Sequence, residues 1–416
     1  MKSRDELKHI IVFEHEKLLV NQGETYLTEG QHQALETYHG NYSPFFKLIR
    51  NGVQFCEFVG VLQVGSTTIE VLPKADKSDD KTMWQSLLVN MIRTVWGFPV
   101  MDSGFSDLKL QQNSVLDLYF ELFVREIEHL IHAGLIKKYV REERNSNALK
   151  GKLLFNKNLS HNLVHKERFY IETARYTHDH QWHQILFAAL KVVSQLNRNS
   201  SLASRIGNLL LTFPAQSKIS INSRVFDKLQ YDRKTISYKK AVDIAELLLL
   251  NYHPDISRGK WDVLSLMFDM NTLWEKFILG LLSKSMTEFK VSGQVSKKFW
   301  KGVQSVGSSM RPDIVLSHSA KPCVIVLDTK WKNLESKGPS PDDLRQMYVY
   351  QEYFDAHKVA LVYPGDELTL SGNFYRIDQT GPGERQCHIV QIKPDPNFGV
   401  WKRRIVERIG ELVGQS

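Results

Sequence analysis

The 416-residue chain holds only three cysteines, Cys56, Cys323 and Cys387, far apart and in no Cys-x-x-Cys pair. That excludes a zinc ribbon and a disulfide framework, and it fits a reducing, cytoplasmic setting. Long apolar runs are missing as well: nowhere do 18 consecutive apolar residues occur, so no segment reads as a membrane-spanning helix. The start, Met1-Lys2-Ser3-Arg4-Asp5-Glu6, lacks the apolar stretch of a secretory signal, and the expectation is a chain neither secreted nor membrane-bound. Also lacking is Gly-x-x-x-x-Gly-Lys-Ser/Thr; Gly302 to Ser308 has the glycine spacing without the lysine. No nucleotide is therefore expected on this chain alone. Charge of one sign is in modest excess: 54 Lys+Arg against 46 Asp+Glu leave +8, which leans toward a polyanionic partner but equally suits an ordinary soluble surface.

Length suggests two or three domains, and patterning predicts an α+β, multidomain chain. Residues 1–112 read as a β-rich N-terminal module with a following helix. Its strands are sought at Ile10–Phe13, Phe45–Ile49, Val53–Val64 and Thr67–Pro73, with Gly65-Ser66 turning between the last two. Asp76 to Lys81 is a charged break before a helix from Met83 to Trp96, striped by Leu87, Leu88, Met91, Ile92 and Val95. Residues 113–260 read as a helical middle region. A long helix runs from Asn113 to about Lys138, with Ser114 as N-cap and Gly134 near its stop, and further helices follow at about 201–213 and 238–251. Residues 261–416 read as an α/β domain with a mixed sheet, closed by a helix from Trp401 to Val413.

The chemistry is expected in that last part. Arg311-Pro312-Asp313 leads into Ile314-Val315-Leu316, a polar turn follows, and Val324-Ile325-Val326-Leu327 ends in Asp328-Thr329-Lys330. This predicts a hairpin with acids on both arms. Alternation along the second arm puts Asp328 and Lys330 on one side, and the continuous β-branched run suits a strand buried on both faces. Asp313 on the neighbouring arm brings a second carboxylate, and hard oxygen ligands with open water positions are what Mg²⁺ prefers. Gln346 and Tyr350, four apart, share a helix face, and Glu275 sits on an amphipathic helix from which a third carboxylate can come.

Three other stretches admit two readings each. Tyr139 to Leu154 is basic and contains Gly151; it either tracks a phosphate backbone or is an exposed connection between helices. His178, His180 and His183 are either metal ligands or a polar helix start before the apolar run Ile185–Leu190, and no His-Glu-x-x-His pattern supports the former. Lys297-Lys298-Phe299-Trp300-Lys301 interleaves rings with ammonium groups, as nucleic acid binding asks, or is a strand edge protected by lysines.

The order helix acid Glu275, strand Asp313, Asp328-x-Lys330, helix Gln346-x-x-x-Tyr350 resembles the PD-(D/E)XK nuclease superfamily in its RecB-like form. Val59 to Gly65, Ile69 to Lys74, Leu149-Lys150-Gly151-Lys152 and Phe268 to Glu275 extend the resemblance to the McrC family, endonuclease subunits of McrBC-type modification-dependent restriction systems. The resemblance departs at the helix start around His183. It implies a DNA endonuclease with Asp313, Asp328 and Glu275 as ligands of Mg²⁺, with Mn²⁺ as the alternative. Lys330 would position water or offset phosphate charge, and Gln346 and Tyr350 would orient the substrate or the lysine. It further implies double-stranded DNA and a McrB-like AAA+ GTPase hexamer as partners, the N-terminal region stimulating GTP hydrolysis and the partner recognising the modification. Two rival readings are a mainly regulatory, GTPase-activating subunit and a stand-alone RecB-like repair nuclease.

Overall fold

The computed structural model describes all residues except 1–7, 43, 76–79, 96–114, 256–260, 303–306, 335–337, 377, 379 and 415–416. The chain divides into two compact units, one of Met1–Lys109 with Met267–Ser416 and one of Leu110–Leu266. It is a mixed α/β structure with several sheets.

The continuous apolar run of the sequence becomes the strand Val324–Thr329, buried along almost its whole length. Ile314–His318 pairs with it antiparallel, Val315 opposite Val326 and Ile314 opposite Leu327, so the expected hairpin forms. On its other side Lys358–Pro364 pairs parallel, with Asp328 opposite Leu361. Phe289–Gly293, Pro382–Ile392 and Leu368–Tyr375 complete a six-stranded mixed sheet. A parallel pair needs a crossover, and the helix Pro341–Phe354 supplies it. Ser340 caps that helix by accepting from Asp343 N at 3.1 Å, Pro341 occupies its first turn and Asp342 and Asp343 complement its dipole.

Alternation decides which residues meet this helix. Val326 joins Met347, Tyr350, Phe354, Val359 and Leu361 in one core cluster, and Asp328 and Lys330 continue on the same side. Ile325 and Leu327 point to the opposite face, covered by the helices Met270–Ser285 and Phe398–Gly414. There Trp274 and Trp401 stack at 5.6 Å, with Phe277 5.5 Å from Trp401. Rings of this size bury on the order of 200 Å² each, so these helices are held mainly by aromatic packing.

The N-terminal part of this unit has the expected strands: Lys8–Phe13 parallel to Thr67–Leu72, and Phe58–Val64 antiparallel to it across a turn at Gly65, φ 58°. Lys17–Leu19, Gly52–Phe55 and Phe46–Ile49 form a separate three-stranded sheet, so the run expected as one strand from Val53 to Val64 is broken at Cys56-Glu57 and divided between two sheets. Two elements were not expected, the short strand Lys17–Leu19 and the helix Glu29–Tyr42. The helix is largely polar: Gln31, Ala34, Leu35 and Tyr38 are buried at the helical spacing i, i+3, i+4 and i+7, but a glutamine and an alanine fill two of those positions, so hydropathy shows the stripe only faintly. Its start does carry a legible sign: Thr28 N donates to Gln31 Oε1 at 2.9 Å and Gln31 N to Thr28 Oγ1 at 3.4 Å, a capping box. The helix Lys81–Val95 buries Leu87, Leu88, Met91 and Ile92 as the stripe predicts, adds Trp84, and leaves Val95 half-buried. Asp80, read as part of a charged break, caps it through Met83 N at 3.1 Å.

The second unit contains the helices Val115–Ala133, Gln181–Leu196, Ser200–Thr212 and Lys239–Leu250. Gly134, φ 90°, ends the first of them; the expected cap Ser114 lies outside the described residues. This region is not purely helical, and Tyr139 to Leu154 is not a connection between helices. Lys138–Ser146 and Lys152–Leu153 flank Phe169–Thr177 in an antiparallel three-stranded sheet. Arg141, Glu142, Glu143 and Arg144 conceal the strand, because charged residues have low β-propensity; cross-strand pairs such as Arg141 with Glu172 and Arg175 with Glu142 accommodate them.

Candidate active site

The twin arms of the hairpin bring Asp313 and Asp328 to one end of the sheet. Asp313 stands just before its strand, and its Oδ2 accepts from Thr329 N at 2.7 Å and Thr329 Oγ1 at 2.8 Å, tying the two arms together. Asp328 is 1% exposed. Lys330 Nζ lies 2.8 Å from its Oδ2, yet that oxygen accepts no well-directed hydrogen bond among the described residues. Burial pushes the Asp328 carboxyl up to about 6, Asp313 adds to the rise and Lys330 opposes it. Burial works against the Lys330 ammonium too, but Asp328, Asp313 and Asp343 outweigh it and hold its pKa above the ordinary value.

Gln346 and Tyr350 face this pair from the crossover helix. Gln346 Oε1 accepts from Lys330 Nζ at 3.5 Å, a long contact, and Gln346 Nε2 donates to Tyr350 Oη at 2.7 Å. Tyr350 is 5% exposed, so packing fixes the far end of the relay. Glu275 comes from the helix Met270–Ser285, half-buried, with its carboxyl lifted by burial, lowered in part by Gln294 and lifted again by Asp313. Its Oε1 accepts from Gln294 Nε2. All six residues expected at the site are thus in one network of contacts and electrostatic influence. Among the described residues, however, no three His, Cys, Asp or Glu side chains gather closely enough to hold a metal ion together. Glu275 turns to Gln294 rather than closing a cage with the two aspartates.

The buried Asp328 Oδ2, whose one close partner is Lys330, tests the fit of a cation. A buried carboxylate oxygen, with a second carboxylate one strand away and a single lysine as its counter-charge, has the hard donor character that Mg²⁺ takes and room in its valence for another positive partner.

Four supporting residues were not anticipated. Gln294, in a left-handed conformation at φ 54°, donates from its backbone N to Asp313 O at 3.0 Å while its side chain holds Glu275. Asp343 accepts from Lys332 Nζ at 2.5 Å and from Tyr363 Oη at 3.3 Å, the lysine and Ser340 holding its carboxyl below the ordinary value against burial. Glu14 accepts from Trp331 Nε1 at 2.8 Å and Lys74 N at 2.7 Å, with burial pushing it up to about 7. Asn271 Oδ1 takes the Trp331 backbone N–H at 2.9 Å. Such partners lie up to 317 positions apart in the chain, and no local pattern betrays them.

The histidines do not form a metal site. His183 is fully buried, donates from Nδ1 to His178 O at 2.7 Å and accepts on Nε2 from Tyr238 Oη at 3.2 Å. Both ring nitrogens are used, and burial pushes its pKa down to about 3. His180 donates from Nε2 to Ile136 O at 3.1 Å.

Fold and site together define a mixed α/β protein with a buried acid–lysine centre suited to a hard cation. The chain belongs to the McrBC 5-methylcytosine restriction system component family, whose model matches residues 53–364. No curated protein matches. Two solved structures from Thermococcus gammatolerans share the fold. A chain of the half-complex from the tetradecameric assembly of McrB AAA+ hexamers with bound McrC is 18% identical, at TM-score 0.67, over 97% of this chain and 100% of that one. A chain of the McrBC complex is 17% identical, at TM-score 0.50, over 68% and 89%. No helix among the described residues is long and apolar enough to cross a membrane.

Proposed function

We propose that this chain is the Mg²⁺-dependent DNA endonuclease subunit of a McrBC-like restriction system, with a PD-(D/E)XK-type nuclease domain in residues 261–416. The observation that carries the reading is the buried Asp328 paired with Lys330 at 2.8 Å, beside Asp313 just before the adjoining strand. Asp328 and Asp313 would hold the cation, with Glu275 as a further acid. Mg²⁺, or Mn²⁺ in its place, supplies Lewis-acid polarisation of the phosphate and a more acidic water. Lys330 offsets the charge gathering on the attacked phosphate and orients the attacking water. Gln346 holds Lys330 from the helix side, and Tyr350 fixes Gln346.

The family and the McrB hexamers in the similar structures support a McrB-like AAA+ GTPase as partner, and the setting of both is the cytoplasm. The part up to residue 112 stimulates its GTP hydrolysis, 113–260 forms the middle region, and the substrate is double-stranded DNA bearing methylated cytosine. Plasmid carrying 5-methylcytosine, mixed with this chain, the partner, GTP and Mg²⁺, is expected to be cut. Uncut plasmid with GTP turning over contradicts the nuclease assignment.

A further inference from the structure

Between Gln294 and Asp313, two residues that frame the site, the chain makes an excursion over residues 295–312. It carries Lys297, Lys298, Lys301 and Arg311 and not one acid, in a chain with 46 Asp+Glu. Lys297–Trp300 and Ser308–Met310 pair antiparallel as a ribbon separate from the main sheet. The register shifts between Lys298 and Trp300, so Phe299 is the extra residue of a bulge, a feature that bends a ribbon and re-aims its side chains. Gly307 allows the close pairing, since a Cβ there would stand 2.7 Å from Trp300 O.

The ribbon is anchored along the helix that bears Gln346 and Tyr350. Met310 is buried in the same cluster as Met347, Tyr350 and Phe354. Lys297 Nζ donates to Tyr353 O at 2.7 Å and sits 4.6 Å from the Phe354 ring centroid, and the Phe299 ring meets Tyr353 at 5.4 Å. Past this anchor the side chains stand in solvent. Trp300 is 59% exposed and Phe299 48%, and the exposed Lys298 and Lys301 have no ion-pair partner among the described residues. Lysines alone would suit a guarded strand edge. An exposed tryptophan beside unpaired cations on an acid-free ribbon is not a guard; it is the chemistry of a surface that meets phosphates and flat rings together.

We propose that the ribbon is a DNA-contacting arm of the candidate site, with Lys298 and Lys301 on phosphates several nucleotides away from the one attacked and Trp300 against a base or sugar of the same duplex. This rests on the nuclease reading for the position of the scissile phosphate. The contact itself is measured without cleavage. A short fluorescent duplex is titrated with the full chain in EDTA over a range of salt. Lys298→Gln/Lys301→Gln is expected to weaken binding about tenfold and to lower the log–log salt slope by about two. Trp300→Ala is expected to weaken it by a similar factor with the slope unchanged. Lys298→Arg/Lys301→Arg keeps affinity, and thermal unfolding of each variant confirms an intact fold. Absence of wild-type binding, or unchanged affinity and slope in the variants, overturns the proposal. Cleavage of plasmid by Asp328→Asn is scored separately: variants that bind normally while Asp328→Asn is inactive sink the arm alone, and weakened variants with an active Asp328→Asn sink the nuclease reading alone.

Discussion

Lys330 Nζ stands 2.8 Å from Asp328 Oδ2, but the two side chains are unequally buried, 26% exposed for the lysine and 1% for the aspartate. The carboxylate therefore bears most of the desolvation. Removing the lysine leaves that charge without its counter-ion, and the cost depends on whether the acid is ionised. Asp328 has a folded pKa raised above its unfolded value, so the folded state binds more protons and stability falls as pH rises through the window from about 4 to 6. Lys330→Ala is expected to lose about 1–3 kcal/mol at pH 8 and clearly less at pH 5, by urea unfolding. An equal loss at both would mean that the pair is not what shapes this end of the sheet.

Cation binding gives a second prediction. Millimolar Mg²⁺ should raise the Tm of the wild type, by about 1.4 kcal/mol of stability at ten times Kd, and leave Asp328→Asn unmoved. In EDTA at pH 8 the same variant should be at least as stable as the wild type, because it removes a buried charge. Calorimetric scans of both proteins with and without the ion decide the matter; an equal response to Mg²⁺ places the cation elsewhere.

Glu14 reaches Trp331, the neighbour of Lys330, and gives its carboxylate oxygen to two buried-side donors, Trp331 Nε1 and Lys74 N. Glu14→Ala takes the acceptor from both and should cost roughly 2–4 kcal/mol. Glu14→Gln keeps an acceptor and loses the charge. Its advantage over wild type should appear as pH rises from about 4.5 through 7, the span over which the folded Glu14 still holds a proton that the unfolded chain releases. Chemical unfolding across that range is the check, and a flat difference would disprove the linkage.

His183 is expected to be structural. Its pKa is depressed by burial to about 3, so the unfolded chain binds a proton that the folded one refuses, and stability should fall as pH drops below about 6.5. His183→Leu leaves Tyr238 Oη and His178 O without this partner, costing about 2–3 kcal/mol at pH 7.5, and flattens that acid slope. Zinc should change neither protein's unfolding; a zinc-dependent rise in Tm for the wild type alone would restore the metal reading.

Much of the candidate site was legible because it is local. Strand alternation places Asp328 and Lys330 together, helical spacing joins Gln346 to Tyr350, and an apolar run announces the strand that carries the first pair. Glu14, Gln294 and Asp343 were not legible, since each acts through a partner brought near only by folding or through an uncommon backbone angle. In the fold, the helix Glu29–Tyr42 escaped because Gln31 and Ala34 dilute its buried stripe, and the strand Lys138–Ser146 because charged residues erase its alternation. Cross-strand ion pairs mark the strand, and a capping box with a partly polar buried stripe marks the helix.

The central claim is that phosphodiester chemistry sits at Asp328 and its neighbours while GTPase activation resides elsewhere in the chain. One reaction tests it directly: modified plasmid, Mg²⁺, GTP and the McrB-like partner with either wild type or Asp328→Asn, cleavage and GTP turnover being read from the same tube. The account predicts cleavage reduced by at least about a hundredfold with stimulation of GTP hydrolysis retained. Cleavage that survives the substitution would contradict it.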